Sequence, residues 1–516
     1  MAPPTTRLAS GSMSEPVLDD PLFDLANPDR SRPALQELGE ATWRTGLDWL
    51  FGPALERVVA ADSYPQARNR FFGPSGQPAA PPLTGVPWPE LLTEFSERIA
   101  RATFSAHHPG SLSYFTPPPL PMSLAGEVLA QIIQQGVDVW HAGPIAAFVE
   151  EEVIAWLCEL VGLPRGSFGV LTSGGVMANV MALQMARDVH LKRLRHLDRP
   201  PRGSDLAGVR VYASDQAHFS IGRGVGVLGF PEDSLVIVPT DDRYRMDPTF
   251  LAEAVATDRR TGFTPLVIAA VAGSTNTGSI DPLADLAELA GTQDLWFHVD
   301  AAYGGAAALS GRLTPLLSGI EAAHSVTIDP HKWFFQAYDI GGLLVRRRED
   351  LSATFHDSPE YYRSNDPENE PLNFYQYSFE GTRRFRALKL WMSWKHLGSI
   401  GLATLVEHTH DLARYLVRRC RELDCFEVEP PEPELSVVCF RHLPSGWESM
   451  PSEELDRYQT ALQRSLEIDG SGWVSTTVLR GRTYLRAGIV NYLASEADID
   501  RLLLTLQALS AQVSME

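Results

Sequence analysis

Seven short, almost continuously apolar runs between residues 168 and 346 constrain the fold of this chain most strongly. Helical stretches, such as those at 177–194 and 282–291, lie between most of these runs. Strands that are apolar on both faces and alternate with helices are typical of a mainly parallel sheet covered on both sides. The sequence therefore predicts an α/β fold whose strands are 168–172, 209–214, 235–239, 265–273, 295–300, 325–329 and 341–346.

Polar and glycine-rich residues follow five of these runs. Parallel sheets bind ligands outside the carboxyl ends of their strands, so residues from separate strand exits are expected to meet at one mouth. One such exit carries little meaning, whereas five together indicate a site. The exits are TSGG (172–175), ASDQAHFS (213–220), AGSTNTG (272–278), HVDAAYGG (298–305) and DPHKW (329–333).

The rest of the chain divides into recognisable parts. Residues 1–32 are rich in Pro, Ser and Thr and predict a disordered leader. Residues 33–121 mix helical and extended stretches, and 122–385 form the large domain that contains the sheet. Within it, 356–378 has the few aliphatic residues and many acids and prolines of a mobile lid. Residues 386–516 predict a small C-terminal α+β domain. Helices near this end are predicted at 384–398, 401–423 and 495–509, and strands at 434–442 and 483–490.

Charge and composition exclude several classes of function. The 516 residues carry a formal net charge of −20, which argues against a binder of nucleic acid or anionic membranes. The four cysteines are scattered, so we expect reduced thiols, with no disulfide and no metal site. No apolar run has the length of a membrane helix, and the N-terminus lacks the pattern of a signal peptide. We therefore expect a cytoplasmic enzyme.

Lys332 follows the sixth run directly, between His331 and Trp333. An ordinary interpretation is a lysine at a strand end whose ammonium group reaches water. The functional interpretation is an amine that an apolar site keeps neutral and nucleophilic. Asp300 lies 32 residues earlier, about one strand–helix–strand unit, so both side chains can lie at neighbouring strand exits.

Three further features have both a structural and a functional interpretation. TSGG is either an ordinary strand-to-helix turn or a turn that binds a phosphate at a helix N-terminus. Asp300 is either a helix N-cap or the counter-charge of a bound cation, and His218 is either a structural histidine or a ring that stacks on a flat cofactor. An imine-forming lysine, a carboxylate for a pyridine nitrogen and a phosphate turn are together what a protein supplies to pyridoxal 5′-phosphate (PLP).

Six motifs cover the chain in a fixed order: TSGGVMAN (172–179), SDQAHFS (214–220), GSTNTGSID (273–281), HVDAAYGG (298–305), DPHKW (329–333) and TRRFRALKLW (382–391). In this order and spacing, over about residues 35–510, the chain resembles the PLP-dependent group II amino-acid decarboxylases, most closely the aromatic-L-amino-acid branch. The resemblance implies the aspartate-aminotransferase-like fold (fold type I) with a mainly parallel seven-stranded sheet. It also implies a homodimer with shared active sites, in which residues 33–121 pack across the dimer.

The resemblance implies a role for each matching cofactor residue. Lys332 is similar to the Schiff-base lysine, Asp300 to the partner of the pyridine nitrogen, and His218 to the histidine that stacks on the ring. Further cofactor contacts are implied for Gly174, Gly175, Val176, Thr275 and His331.

The resemblance also implies residues on the substrate side. Tyr361 falls where relatives carry a loop tyrosine that protonates the product. The positions that line the substrate pocket are Tyr114, Phe115 and Pro117. Three positions depart from the aromatic branch. Val176 replaces a hydroxyl residue, Asp329 replaces an asparagine near the phosphate, and Pro117 replaces a threonine.

The predicted reaction is PLP-dependent decarboxylation of an L-amino acid, with aromatic substrates favoured, to the amine and CO₂. A competing reaction is decarboxylation with oxidative deamination to an aldehyde. Enzymes that follow this route typically carry phenylalanine at the loop position, so Tyr361 favours the amine. A branched aliphatic or acidic substrate also stays open, as do an aminotransferase or lyase of the same fold and an inactive scaffold.

Overall fold

A computed structural model describes residues 20–59, 62–357, 359–360 and 371–513. The chain divides into two compact units after His108. In the described part of the first unit, four helices carry proline at their first or second position, where a missing backbone N–H costs little. They are α1 (Pro28–Leu50), α2 (Pro53–Glu56), α3 (Tyr64–Phe72) and α4 (Trp88–Glu94).

The start of α1 corrects the predicted leader. The helix begins at Pro28, inside the span 1–32 that the composition predicts to be disordered. Pro28 has a pre-set helical φ, and Asp29 places a negative charge in the first turn, so the two residues favour a helix start there. Residues 1–19 lie outside the described part of the chain.

The second unit contains a seven-stranded sheet with the spatial order β1-β7-β6-β5-β4-β2-β3. Strand β7 runs antiparallel to both of its neighbours, whereas the pairs from β6 to β3 are parallel. The predicted α/β fold with a mainly parallel sheet is confirmed. The strands are β1 (Phe168–Thr172), β2 (Val209–Ser214), β3 (Leu235–Val238), β4 (Thr264–Val271), β5 (Trp296–Asp300), β6 (Ser325–Ile328) and β7 (Gly341–Val345).

Burial on both faces explains why these strands are apolar throughout. Every residue of β1, β5, β6 and β7 is buried, so neither face tolerates an unpaired polar side chain. In the described ranges, no helix has the length and apolar character that a membrane crossing requires. The helices that precede, link or follow these strands are α5 (Pro121–Ile133), α6 (Pro144–Leu160), α7 (Gly175–Met185), α8 (Lys192–Leu194), α9 (Ser220–Val227), α10 (Pro248–Arg260), α11 (Leu283–Thr292) and α12 (Arg348–Phe355).

The strand order brings several strand ends to one edge of the sheet. Asp300, the last residue of β5, pairs in register with Val271 of β4 and Thr327 of β6. Because β1 and β6 are both antiparallel to β7, they point in the same direction. Thr172 at the end of β1 therefore lies beside Gly341 at the start of β7.

A smaller antiparallel sheet near the C-terminus, with the order β10-β11-β9-β8, has its own apolar core. Strands β9 and β11 and the last helix occupy predicted positions, whereas β8, β10 and α14 have no predicted counterpart. The two helices predicted at 384–398 and 401–423 are both present within α13, and the non-helical residue Gly398 (φ +66°) separates them. The elements are α13 (Ala387–Glu422), β8 (Phe426–Glu429), β9 (Val437–His442), α14 (Ser452–Asp469), β10 (Ser475–Leu479), β11 (Arg482–Gly488) and α15 (Glu496–Ser510).

Candidate active site

A cavity of about 360 Å³ opens at the edge of the large sheet where the strand ends meet. Residues from all five polar strand exits line it. The structure therefore brings together the eight residues that the sequence marks as cofactor contacts: Gly174, Gly175, Val176, His218, Thr275, Asp300, His331 and Lys332.

The glycine turn after β1 forms one wall of the cavity. Gly174 has φ +155°, a backbone conformation that residues other than glycine rarely adopt. A Cβ at Gly175 would lie 2.9 Å from Asp329 Oδ2, so no side chain fits there without displacing that carboxylate. Helix α7 begins at Gly175, and its first backbone N–H groups have no partner within the helix. This turn is therefore suited to hold an anion.

Asp300 lies at the end of β5 with a rigidly oriented carboxylate. It is 7% exposed. Its Oδ2 accepts a hydrogen bond from Asn179 Nδ2 at 2.7 Å, and its Oδ1 accepts one from the backbone N–H of Ala302 at 3.1 Å. A buried carboxylate held in this way offers a fixed negative charge to the cavity that it lines.

Asn179 on α7 connects Asp300 to the other polar side chains of the site. Its Nδ2 also donates to Ser220 Oγ at 2.8 Å. Its Oδ1 accepts from Thr327 Oγ1 at 2.6 Å and contacts His298 Nε2 at 3.0 Å. The buried amide thus uses two donors and two acceptor positions, and it fixes the orientation of Asp300 through all of them.

The surrounding bonds determine the protonation of His298. Asn179 Nδ2 donates to other groups, so Asn179 Oδ1 is the atom that accepts from His298 Nε2–H. His298 Nδ1 then accepts from Ser325 Oγ, which in turn accepts from Trp296 Nε1. Complete burial lowers the pKa of His298 to about 4, although the charge of Asp300 opposes the shift. His298 is therefore a neutral donor.

His218 lies at the exit of β2, beside the same network. Its Nδ1 is 2.8 Å from Ser220 Oγ, and its ring contacts that of Phe219 with the centroids 4.1 Å apart. Burial lowers the pKa of His218, opposed in part by the charge of Asp300, which favours a neutral ring at pH 7. A neutral ring held at its Nδ1 is suited to pack against a flat ligand.

Lys332 corrects the expectation of an apolar site that keeps its amine neutral. The side chain is one-quarter exposed, and its Nζ lies 3.0 Å from Asp329 Oδ2. Burial acts to lower the pKa of Lys332, but the carboxylates of Asp329 and Asp300 outweigh burial and raise it above its ordinary value. The amine is therefore an ammonium in this arrangement, because the cavity wall carries negative charge.

The predicted substrate residues that the structure describes are not among those that line the cavity. Phe115 stacks on Tyr303, a lining residue, with ring centroids 4.0 Å apart. Tyr114 is exposed and packs edge-on against Trp473, and Pro117 is buried. Tyr361 lies outside the described residues.

The predicted mobile loop 356–378 is wrong at its C-terminal end. Phe374 is fully buried and stacks against Phe168 of β1, and residues Phe374–Tyr377 form a 3₁₀ turn. Aromatic side chains there bury enough apolar surface to fix the chain. Residues 374–377 therefore have regular structure, contrary to the prediction for 356–378.

The chemical groups that line this cavity are suited to bind PLP. Lys332 reaches the cavity with an amine, Asp300 presents a fixed carboxylate, and the glycine turn presents helix N–H groups to a phosphate. A mainly parallel sheet with a lysine, a carboxylate and a glycine turn at its edge defines a class: α/β enzymes that bind PLP through a lysine. The conserved-domain profile of the pyridoxal-dependent decarboxylases matches residues 75–443. The chain belongs to this family and is a PLP-dependent amino-acid carboxy-lyase.

Individual relatives span most of the chain. The aromatic-L-amino-acid decarboxylase of Bacillus atrophaeus is 33% identical over 439 residues, 84% of this chain and 88% of that protein. The L-2,4-diaminobutyrate decarboxylase of Rhizobium meliloti (strain 1021) is 32% identical over 423 residues, 82% of each. The crystal structure of Oryza sativa TDC with PLP and tryptamine matches with a TM-score of 0.84 at 25% identity, covering 95% of this chain and 99% of that one. The names of the two sequence relatives give different substrates, so these matches establish the family and not the substrate.

Proposed function

We propose that this enzyme decarboxylates an aromatic L-amino acid to the corresponding amine and CO₂. The observation that carries the proposal is the presence of Lys332 and the Asn179-oriented Asp300 in one cavity. When bound, PLP supplies a ring that accepts the electrons left at the substrate Cα as CO₂ departs. Asp300 supplies the fixed negative charge that stabilises a protonated ring nitrogen.

The other residues of the site have proposed roles that follow from their positions. Lys332 is the attachment point of the cofactor, and His218 packs against the face of its ring. Tyr361 donates the proton that the substrate Cα takes up, a role that rests on the family resemblance. The groups that hold the phosphate and the cofactor edge are Gly174, Gly175, the backbone N–H of Val176, Thr275 and His331.

An aromatic substrate is supported by the Phe115–Tyr303 stack, which carries flat apolar surface up to the cavity. The activity in the name of the Bacillus atrophaeus relative supports it as well. The second candidate is a non-aromatic amino acid. Pro117 departs from the aromatic branch, and the Rhizobium meliloti relative is named for 2,4-diaminobutyrate.

A substrate panel separates these candidates. The holoenzyme is incubated with each of the twenty proteinogenic L-amino acids and with L-2,4-diaminobutyrate, and CO₂, amine, ammonia and peroxide are quantified. We expect equal amounts of CO₂ and amine, formed fastest from an aromatic substrate. Faster turnover of a non-aromatic amino acid would reassign the substrate. Ammonia and peroxide in equal amount to CO₂ would replace the amine with an aldehyde product.

Attachment at Lys332 has its own test. Borohydride reduction of the holoenzyme, followed by peptide mass spectrometry, is expected to find a pyridoxyl group on Lys332. Lys332→Ala should lose both the adduct and CO₂ release. Lys395→Ala, which removes a half-exposed ammonium on α13, should keep both. An adduct on another lysine of the wild type contradicts the proposal.

We also propose that the enzyme is a homodimer with shared active sites and that residues 33–121 pack across it. Exposed hydrophobic side chains in the second unit support the proposed dimer. They lie on α5 and at the start of α6. These side chains are Val128, Leu129, Ile132, Ile133, Ile145 and Phe148.

A further inference from the structure

Asp329 forms an ion pair with Lys332 inside the cavity. Asp329 follows β6 and is 2% exposed, and its Oδ2 lies 3.0 Å from Lys332 Nζ. Its Oδ1 is buried and has no hydrogen-bond partner within the described residues. A buried carboxylate is costly to leave unpaired, so Lys332 is the group that compensates its charge.

Two glycines confine this carboxylate. A Cβ at Gly175 would lie 2.9 Å from Asp329 Oδ2, and a Cβ at Gly341 would lie 2.6 Å from Asp329 Oδ1. The glycine turn after β1 and the first residue of β7 thus enclose the carboxyl group from two sides. A side chain at either glycine would therefore displace the carboxyl group that pairs with Lys332.

The neighbouring histidines do not replace Lys332 as the compensating cation. His331 Nε2 lies 3.7 Å from Asp329 Oδ2, and its Nδ1 accepts the backbone N–H of Ile340. Burial lowers the pKa of His331 and that of His218, which favours neutral rings at pH 7. The titratable and charged groups that face the pair directly or through these histidines are Asp300, His218, His331, Tyr338, Arg223, Asp339 and Lys389.

We propose that Asp329 Oδ2 accepts the proton that Lys332 Nζ must lose before its amine can bond to the cofactor. The proposal rests on the proposed attachment of PLP to Lys332. One proton moves from Nζ to Oδ2, which turns an ammonium and a carboxylate into an amine and a carboxylic acid, and no electrons are exchanged. The transfer also removes a negative charge from beside the glycine turn, where it would repel a bound phosphate.

Competitive acetylation of the cofactor-free protein tests the ion pair without activity. Lys332 acetylation is measured by peptide mass spectrometry across a pH series, with exposed Lys395 as the internal reference. In the wild type, the titration midpoint of Lys332 should lie above the ordinary lysine value of 10.5. Asp329→Asn should lower that midpoint by about one pH unit or more, because the nearest opposite charge is lost.

Asp339→Asn is the matched control. Asp339 is a carboxylate on the same connection, but it pairs with Arg384 and Arg386. Its removal should leave the Lys332 midpoint unchanged. An unchanged Lys332 midpoint in Asp329→Asn overturns the proposal. A Lys332 midpoint below 10.5 in the wild type overturns it as well, and this measurement does not depend on the folding of a variant.

Cofactor attachment gives a second readout and separates the two proposals. Apo protein is mixed with PLP, and the reduced adduct on Lys332 is counted over time. Asp329→Asn should attach PLP with a rate that rises more steeply with pH between about 7 and 9, because its amine must lose the proton to solvent rather than to a neighbouring carboxylate. Absence of any adduct in the wild type defeats the proposed function. An adduct that forms with the same pH dependence in both proteins defeats only the role of Asp329.

Discussion

Asn179 shows what a sequence pattern reveals about a single residue of this site and what it does not. The residue lies four positions after Gly175 on α7, so its side chain faces the same direction as the glycine turn. That spacing could have marked it as a site residue. Its partners could not be read from the sequence, because Ser220, His298 and Thr327 come from three separate elements that only the sheet order brings together.

Truncation of this amide should damage both stability and cofactor binding. Asn179→Ala leaves Asp300 Oδ2, His298 Nε2 and Thr327 Oγ1 without their partner. We expect a loss of about 2 kcal/mol or more in unfolding free energy. We also expect about tenfold weaker PLP binding, since Asp300 is no longer oriented. Urea unfolding and equilibrium dialysis with PLP measure the two effects.

Gln459→Ala is the matched control for this variant. Gln459 is a fully buried amide on α14, where it pairs with the backbone of His442. It should cost stability without changing PLP affinity. Equal losses of PLP affinity in the two variants would show that Asn179 acts through general stability alone.

At the scale of elements, burial decides which strands can be predicted. Four strands of the large sheet are buried throughout and apolar on both faces, and this pattern is easily recognised. The edge strand β3 is partly exposed but consists of apolar residues, so it shows the same pattern. Strands β8 and β10 lie at the edges of the small sheet and have partly exposed residues, so they show only a few apolar side chains. The antiparallel direction of β7 has no sequence signal of its own, because it depends on pairing.

A side chain at the start of β7 should disturb the glycine turn. In Gly341→Ala, the new Cβ would lie 2.5 Å from Gly174 Cα and 2.6 Å from Asp329 Oδ1, so backbone must move. We expect PLP affinity to fall by about tenfold or more. Gly226→Ala on α9 has open space around its Cβ and should bind PLP normally. Dialysis against PLP compares them, and normal affinity in both would contradict a role for this close contact.

At the scale of the whole molecule, buried histidines couple stability to pH. Burial lowers the pKa of His298 and of His442 to about 4 from 6.5. Both lie in cores, one in each sheet region, where the neutral ring is hydrogen-bonded. Between these values each of the two histidines binds more protons in the unfolded chain than in the folded one. Their contribution to stability is therefore complete above pH 6.5 and is lost as the pH falls toward 4.

Each of these two histidines should remove about 1 kcal/mol of stability between about pH 7.5 and about pH 5.5. Asp281 acts in the opposite direction, because burial raises its pKa to about 7 and the folded chain binds the extra proton in this range. His442→Asn removes one titrating ring and should reduce the dependence of Tm on pH. His141→Asn, at an exposed position, should leave that dependence unchanged. The same dependence of Tm on pH in the wild type and in His442→Asn would contradict this account.

Association is the second prediction at this scale. Ile132 is 72% exposed on α5, and a charge there should oppose burial in the proposed dimer. We expect Ile132→Asp to shift the protein to monomers in light scattering coupled to size exclusion. Ile400→Asp changes an 85%-exposed residue on α13 and should remain dimeric. Unchanged mass in both variants would argue that α5 does not form the interface.

The reversed strand β7 restricts which part of the enzyme can move during a catalytic cycle. Residues 329–340 leave β6 and return at the same edge of the sheet, and His331 N–H bonds back to Ile340 O across the connection. Lys332, the proposed attachment point, thus lies on a short connection that is anchored to the sheet at both ends. We therefore expect the movements that admit substrate and release product to occur in other segments, while the backbone at Lys332 keeps its position.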